Sequence, residues 1–304
     1  MNLYLDAGIL SALVVLLVCP FSTRLARANW VTRAPRAAVT LWHSLGISAT
    51  LATIGAGLCV ATERFHAGFV GGVGELGEGM VGGHPLQGLG LPDALGLTLA
   101  ADVGVVLFSV VGVVIVRTVL ARARHRRLLN LLATPSQGCM GTLTLDHPSP
   151  VAYCLPGIRP RIVISSGTMR LLDQAQLAAV IEHERGHAHE RHGLVMLPMT
   201  SLTEPFRWIP FARLAPRAVA GLLEMAADDH SARRHAPSSL ASALVALSTS
   251  AAPPRCAFAF ASHGVNVRVQ RLIGSDRTSK RAAIAAGLLC TLAVFAPLAV
   301  VLSS

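Results

Sequence analysis

Four stretches of this chain, residues 3–21, 38–62, 97–120 and 282–302, approach or reach the ~20 apolar residues that a helix needs to cross a bilayer. Backbone in hydrocarbon must satisfy its own N–H and C=O groups, so each stretch is expected to be helical. The composition agrees: 52% hydrophobic against 14% charged residues leaves too little polar surface for a water-soluble globule of 304 residues. A disordered chain and a coiled coil are excluded by the same figures, since neither a charged low-complexity tract nor a strict repeat is present. The first stretch reads as a retained anchor and not a signal peptide, because it carries Asp6 near its start and the arginines follow it.

The net charge of +10 is compatible with nucleic acid, anionic lipid or cytoplasmic loops, and position along the chain decides between them. The basic residues, all arginine except Lys280, gather where the apolar stretches end. Arg24, Arg27, Arg33 and Arg36 lie between the first two stretches, Arg117, Arg122, Arg124, Arg126 and Arg127 at and after the end of the third, and Arg277, Lys280 and Arg281 before the fourth. The connection from residue 63 to 93 instead carries Glu63, Glu75, Glu78 and Asp93 against Arg64 and is rich in glycine, which suits a short, flexible external loop. The positive-inside bias then predicts a multi-pass cell-membrane protein with both termini external. Arginines at membrane borders with few aromatics between them are a topology signal, so no direct nucleic-acid partner is expected and the lipid bilayer is. The predicted organisation is three transmembrane helices with short loops in residues 1–127, a cytosolic domain in 128–280 and a C-terminal transmembrane helix in 281–304. The six cysteines form no C-x-x-C pair, and three lie in apolar stretches, so free thiols are expected.

Any chemistry belongs in the 128–280 block. Its start, punctuated by Pro135, Gly138, Gly141 and Pro148, reads as irregular. Two β-rich runs follow at 151–155 and 161–165, separated by Pro156-Gly157 and closed by Pro160, and they predict a hairpin with an edge that can accept a peptide. Asp173 with Gln176 three residues on is an N-cap with its capping-box partner, which starts a helix over 174–192.

That helix contains His183-Glu184-Arg185-Gly186-His187, the H-E-x-x-H pattern, about 0.01 copies of which are expected by chance at this composition. Histidines four apart share one helical face and can reach one metal ion, while Glu184, rotated about 100°, can reach a water on it. Gly186 costs about 1 kcal/mol in helix propensity, which points to a neighbouring element approaching closely. His189 and His192 lie past the pattern and are expected at the solvent or membrane border. A catalytic zinc takes three protein ligands, and the candidate third is Glu224, on a helix expected to begin at Pro216, with Asp228 on the same face placed to support a ligating histidine.

H-E-R-G-H at 183–187, E-M-A-A-D at 224–228 and the upstream pair A-Y-C-L-P-G and P-R-I-V-I-S-S-G within residues 152–167 resemble the membrane metallopeptidases of the BlaR/MecR type, and less closely those of the HtpX and Ste24 type. The resemblance implies a mainly α, multi-span membrane protein with about four transmembrane helices and a cytosolic gluzincin-like α+β metallopeptidase domain containing a small β-hairpin or sheet. It implies one Zn2+ per chain bound by His183, His187 and Glu224, with Glu184 as general base and Asp228 in support. The segment Arg268-Val269-Gln270-Arg271-Leu272 looks like the family's R-V-x-R-L element, and His263 before it is the counterpart of the histidine that stabilises the oxyanion in the HtpX and Ste24 type. His230 and His235 are alternatives for that task by proximity. The resemblance also implies a zinc endopeptidase acting on a cytosolic protein, in the sensor members a winged-helix repressor. The chain ends with the fourth stretch, so the external β-lactam sensor domain of those members is not expected. Removal of damaged membrane proteins, as in the HtpX type, and a non-catalytic receptor or scaffold are the competing readings.

Overall fold

The computed structural model describes residues 2–83, 89–136, 141–250, 261–274 and 280–303. Helix α1 (Leu3–Leu16) opens with the Asn2 side chain accepting from the Tyr4 and Leu5 amides, then passes through a π-turn, Leu17–Phe21, into α2 (Ser22–Ala26). Pro20 sits in that wider turn and has no N–H to give the helical ladder. Helix α3 (Pro35–Thr62) starts on a proline, whose missing N–H costs nothing in a first turn. Next come α4 (Gly68–Val81) and α5 (Leu91–Leu132). Among the described residues, four helical segments are long and apolar enough to cross a membrane: Leu3–Ala26, Pro35–Phe65, Leu91–Leu132 and Lys280–Leu302.

Two expectations about the loops need correction here. Part of the glycine-rich connection is the helix α4, because Gly72 lets it lie directly on the end of α3: a Cβ there would stand 2.6 Å from Thr62 Cβ. Glycine was read as flexibility where it serves close packing. The third apolar helix also runs without a break past residue 127 to Leu132 and delivers the chain straight into the sheet.

The supposedly irregular start of the block holds two strands, β1 (Ala133–Pro135) and β2 (Thr142–Leu145). Strands β3 (Ala152–Leu155) and β4 (Arg161–Ser165) form the expected hairpin, and the four-stranded order is β1-β2-β4-β3, with β2 and β4 parallel and the other pairs antiparallel. The short runs at 133–135 and 142–145 are visible as strands only once β4 lies between β2 and β3. Alternation sorts the sheet's faces. Val163, with Leu155, packs on Leu129 of α5, while Ile162 and Ile164 pack on Leu177 and Ile181 of α7 (Gln174–His189). Strand β3 is an outer strand.

After α6 (Ser166–Leu171) come α7 (Gln174–His189), α8 (His192–Thr203), α9 (Pro210–Ser231), α10 (Pro237–Ser250), α11 (Ala261–Ile273) and α12 (Lys280–Leu302). Helix α9 begins at Pro210, not at Pro216, which lies inside it. An interior proline costs ~3 kcal/mol, and the buried face of α9 offsets it. That face, including Phe211, Ala215, Val219 and Leu222, joins Leu41, Trp42 and Leu45 of α3 in one core. The helix carrying Glu224 therefore rests on α3, one of the helices long and apolar enough to cross a membrane. Cys19, Cys59, Cys154 and Cys290 are free thiols, and Cys139 and Cys256 lie outside the described residues.

Candidate metal centre

Helix α7 is fixed at its start by the capping box: Asp173 Oδ1 accepts from the Gln176 amide at 2.8 Å and Gln176 Oε1 from the Asp173 amide at 3.1 Å. One turn separates His183 from His187, so their Nε2 atoms meet at 3.2 Å. Glu224 of α9 faces both, its Oε2 at 3.5 Å from His183 Nε2 and its Oε1 at 3.4 Å from His187 Nε2. These three side chains form the metal-holding group found among the described residues. Gly186 makes the approach of α9 possible. A Cβ on it would lie 3.0 Å from His230 Cβ and 3.3 Å from Ala227 Cα.

With Nε2 of each histidine turned to the centre, Nδ1 is turned outward, and each Nδ1 has a polar neighbour. His183 Nδ1 lies 3.0 Å from Asp228 Oδ1, and His187 Nδ1 lies 2.8 Å from His192 Nδ1. His192 is buried, which corrects the expectation of a border position. Its ring was misread because α8 turns back at Arg191, which adopts a left-handed conformation with φ 51°. His189 is exposed as expected.

An arginine absent from the expected site holds its acids. Arg268 of α11 donates from Nε to Asp228 Oδ2 at 2.8 Å and from Nη2 to Asp228 Oδ1 at 2.6 Å, while its Nη1 reaches Glu224 Oε2 at 2.9 Å. Arg271, one turn on, forks onto Asp229 at 2.8 and 2.9 Å. The R-V-x-R-L motif was therefore the available signal, and its first arginine is the residue that reaches the centre. Of His263, the backbone belongs to α11 and the side chain lies outside the described residues. His230 is buried in a separate cluster, its Nε2 3.2 Å from Glu182 Oε1 with Arg234 beside both.

The electrostatics favour a cation at the centre. Burial works against a charged His183 ring, yet contacts with Asp228 and Glu224 outweigh it and push its pKa up to about 10. Burial likewise opposes ionised Asp228, but Arg268 and then His183 hold it down at about 2. Glu224, despite its own burial, is held well below the usual carboxylate range by His183, His187 and Arg268. His192 goes the other way, since burial and then the neighbouring His187 lower it to about 4 and keep it neutral. Two imidazole nitrogens and one carboxylate, with a carboxylate beside the outer nitrogen of His183 and an imidazole beside that of His187, form a donor set suited to zinc. Glu184 is half-buried on α7, next to His183 in the chain, and its charge acts on Cys154 of β3 and on Arg268.

Neither the curated proteins nor the solved structures compared with this chain include a match. Residues 121–250, less than half of the chain but including both histidines of the pattern, Glu184, Glu224 and Asp228, match the family model of peptidase family M48, which supports a metallopeptidase domain in this part of the protein.

Proposed function

We propose that this chain is a membrane-anchored zinc endopeptidase whose site opens to the cytosol and whose substrate is a cytosolic protein. The observation that carries the reading is the meeting of His183 Nε2, His187 Nε2 and the Glu224 carboxylate within 3.5 Å of one another, inside the block that matches the peptidase family. Zinc held by those three side chains would supply Lewis acidity toward a scissile carbonyl and lower the pKa of a water. Glu184 has no ligand to share, and as a free carboxylate beside the centre it accepts that water's proton and later returns it to the leaving amine. Among the described residues β3 is an outer strand of the sheet, an edge along which an extended substrate adds as a further strand. Asp228 and Arg268 keep His183 and Glu224 in their present orientation.

The arginine-rich ends of the four apolar helices support a cytosolic site and external termini. The BlaR/MecR resemblance favours a transcriptional repressor as substrate, and turnover of damaged membrane proteins is the alternative. Comparing protein fragments in cells carrying the parent chain and Glu184→Gln tests both. One repressor fragment that vanishes in the variant supports regulation, many membrane-protein fragments support turnover, and unchanged cleavage by Glu184→Gln refutes the catalytic role.

A further inference from the structure

The outward nitrogen of His183 meets an acid clamped by Arg268, and the outward nitrogen of His187 has a counterpart built from a different part of the chain. His192 Nδ1 stands 2.8 Å from His187 Nδ1, and His192 Nε2 stands 3.4 Å from Glu190 Oε2. Glu190 is in turn gripped by Arg36, which donates from Nε to Oε2 at 2.9 Å and from Nη2 to Oε1 at 2.5 Å. Arg36 also donates to the Ala226 carbonyl at 2.9 Å, beside Glu224 on α9. It belongs to the first turn of α3, one of the helices long and apolar enough to cross a membrane. A further contact ties α3 to α8, the helix that carries His192: His43 Nε2 lies 3.0 Å from the Val195 carbonyl near its start.

The proton arrangement in this chain is determined. If His187 Nε2 gives its lone pair to a metal, its Nδ1 carries the hydrogen and must donate outward. His192 Nδ1 is then the acceptor, so its proton sits on Nε2 and points at Glu190. Glu190 Oε2 accepts from His192 and from Arg36 Nε, and its Oε1 accepts from Arg36 Nη2. Each group has one role, and none is left unpaired.

We propose that His192 is a positioning residue for the metal ligand His187, and that Arg36 holds it there through Glu190, so that metal affinity depends on how α3 is seated against α7 and α8. A displacement of α3 that withdraws Arg36 releases Glu190, then His192, then the orientation of His187. Whatever moves the membrane helices thereby changes the occupancy of the centre. This rests on the zinc reading above, and the test separates the two.

Full-length protein in detergent or nanodiscs is titrated with zinc against a chromophoric chelator, and with cobalt while the visible ligand-field spectrum is recorded. The parent chain binds one metal and His187→Ala binds none; a parent that takes up no metal overturns the zinc reading and this one with it. His192→Phe is expected to weaken zinc roughly 10- to 100-fold, the usual size of such outer-partner effects, and to change the cobalt spectrum. His192→Asn, whose amide oxygen can accept the same proton, keeps affinity within a fewfold of the parent, which checks that a lost bond and not lost folding is responsible. Arg36→Glu weakens zinc about fivefold, in line with the upper end for an exposed pair, and Arg36→Lys, which keeps a cation beside the Glu190 acceptor, stays closer to the parent than Arg36→Glu does. If His192→Phe matches the parent in affinity and spectrum, or if Arg36→Lys binds zinc no better than Arg36→Glu, the inference is wrong.

Discussion

Gly186→Ala separates helix stability from site geometry, because the two effects of an added methyl oppose each other. In the α7 backbone, alanine is worth about 1 kcal/mol over glycine. The new Cβ, however, would stand 3.0 Å from His230 Cβ, 3.2 Å from His230 Cγ and 3.3 Å from Ala227 Cα, tighter than ordinary contact on every side. Overpacking of this kind costs about 1–3 kcal/mol, so the net effect on stability runs from about zero to a loss of about 2 kcal/mol. The effect on metal should be larger than the effect on folding. Ala227 and His230 flank Asp228 and follow Glu224 on α9, so relief of the clash shifts the helix that carries the third ligand and the partner of His183. A drop in zinc affinity of roughly tenfold or more is expected, the scale on which metal sites respond to displaced supporting groups. Gly221→Ala is the control. It lies on α9 with nothing within 4 Å of its would-be Cβ, and alanine there should stabilise by about 0.5–1 kcal/mol with unchanged metal binding. Chemical unfolding and chelator competition on both variants give the comparison. The close-approach argument fails if Gly186→Ala gains stability as Gly221→Ala does and binds zinc as tightly as the parent.

Three other outcomes follow from the charges around the centre. Arg268→Met leaves the Asp228 and Glu224 carboxylates without their shared cation, and removing one partner of a buried pair costs about 3–5 kcal/mol; unfolding should show that loss most strongly without metal and a partial recovery with zinc, and an equal loss in both conditions refutes the charge argument. Glu182 is a buried carboxyl whose burial is outweighed by Arg185, Arg234 and His230, so its pKa lies below the ordinary value of 4.5. Its contribution is therefore full above the unfolded-state value and lost as pH falls through the lower folded value, and Glu182→Gln should be less stable than the parent near neutral pH and converge with it in acid, as followed by unfolding across pH. Zinc at a hundred times its dissociation constant should stabilise the chain by about 2.7 kcal/mol, an effect absent in His187→Ala and removed by chelator.

The parts of this molecule that were legible in its sequence are those whose partners are close along the chain or whose pattern is long. Apolar runs of membrane length, the Asp173–Gln176 box and the 151–165 hairpin each carry their cause within a few residues. H-E-x-x-H is legible for the same reason, since a spacing of four alone puts two imidazoles on one helical face. Glu224 is legible only with the family resemblance beside it, because nothing local says that α9 will cross α7 at Gly186. Strands β1 and β2 were missed since each is short and gains its identity only from β4, a neighbour in space.

The misreading of His192 has a different origin. Five residues past His187, it should have left the helical face, and it returns because the backbone reverses at Arg191 and starts α8 under α7. The groups one step further out are more distant along the chain: behind His192, Arg36 is 154 positions from Glu190, and behind His183, Arg268 is 40 from Asp228. In the sequence Arg36 was indistinguishable from Arg24, Arg27 and Arg33, four basic residues at a membrane border with one apparent meaning. Burial of the α9 face on Leu41, Trp42 and Leu45 is what sets Arg36 beside Glu190 and Ala226. An arginine whose place in the sequence predicts only orientation in a bilayer can thus also grip Glu190 behind His192, and the packing of α9 on α3 decides which of the four does so.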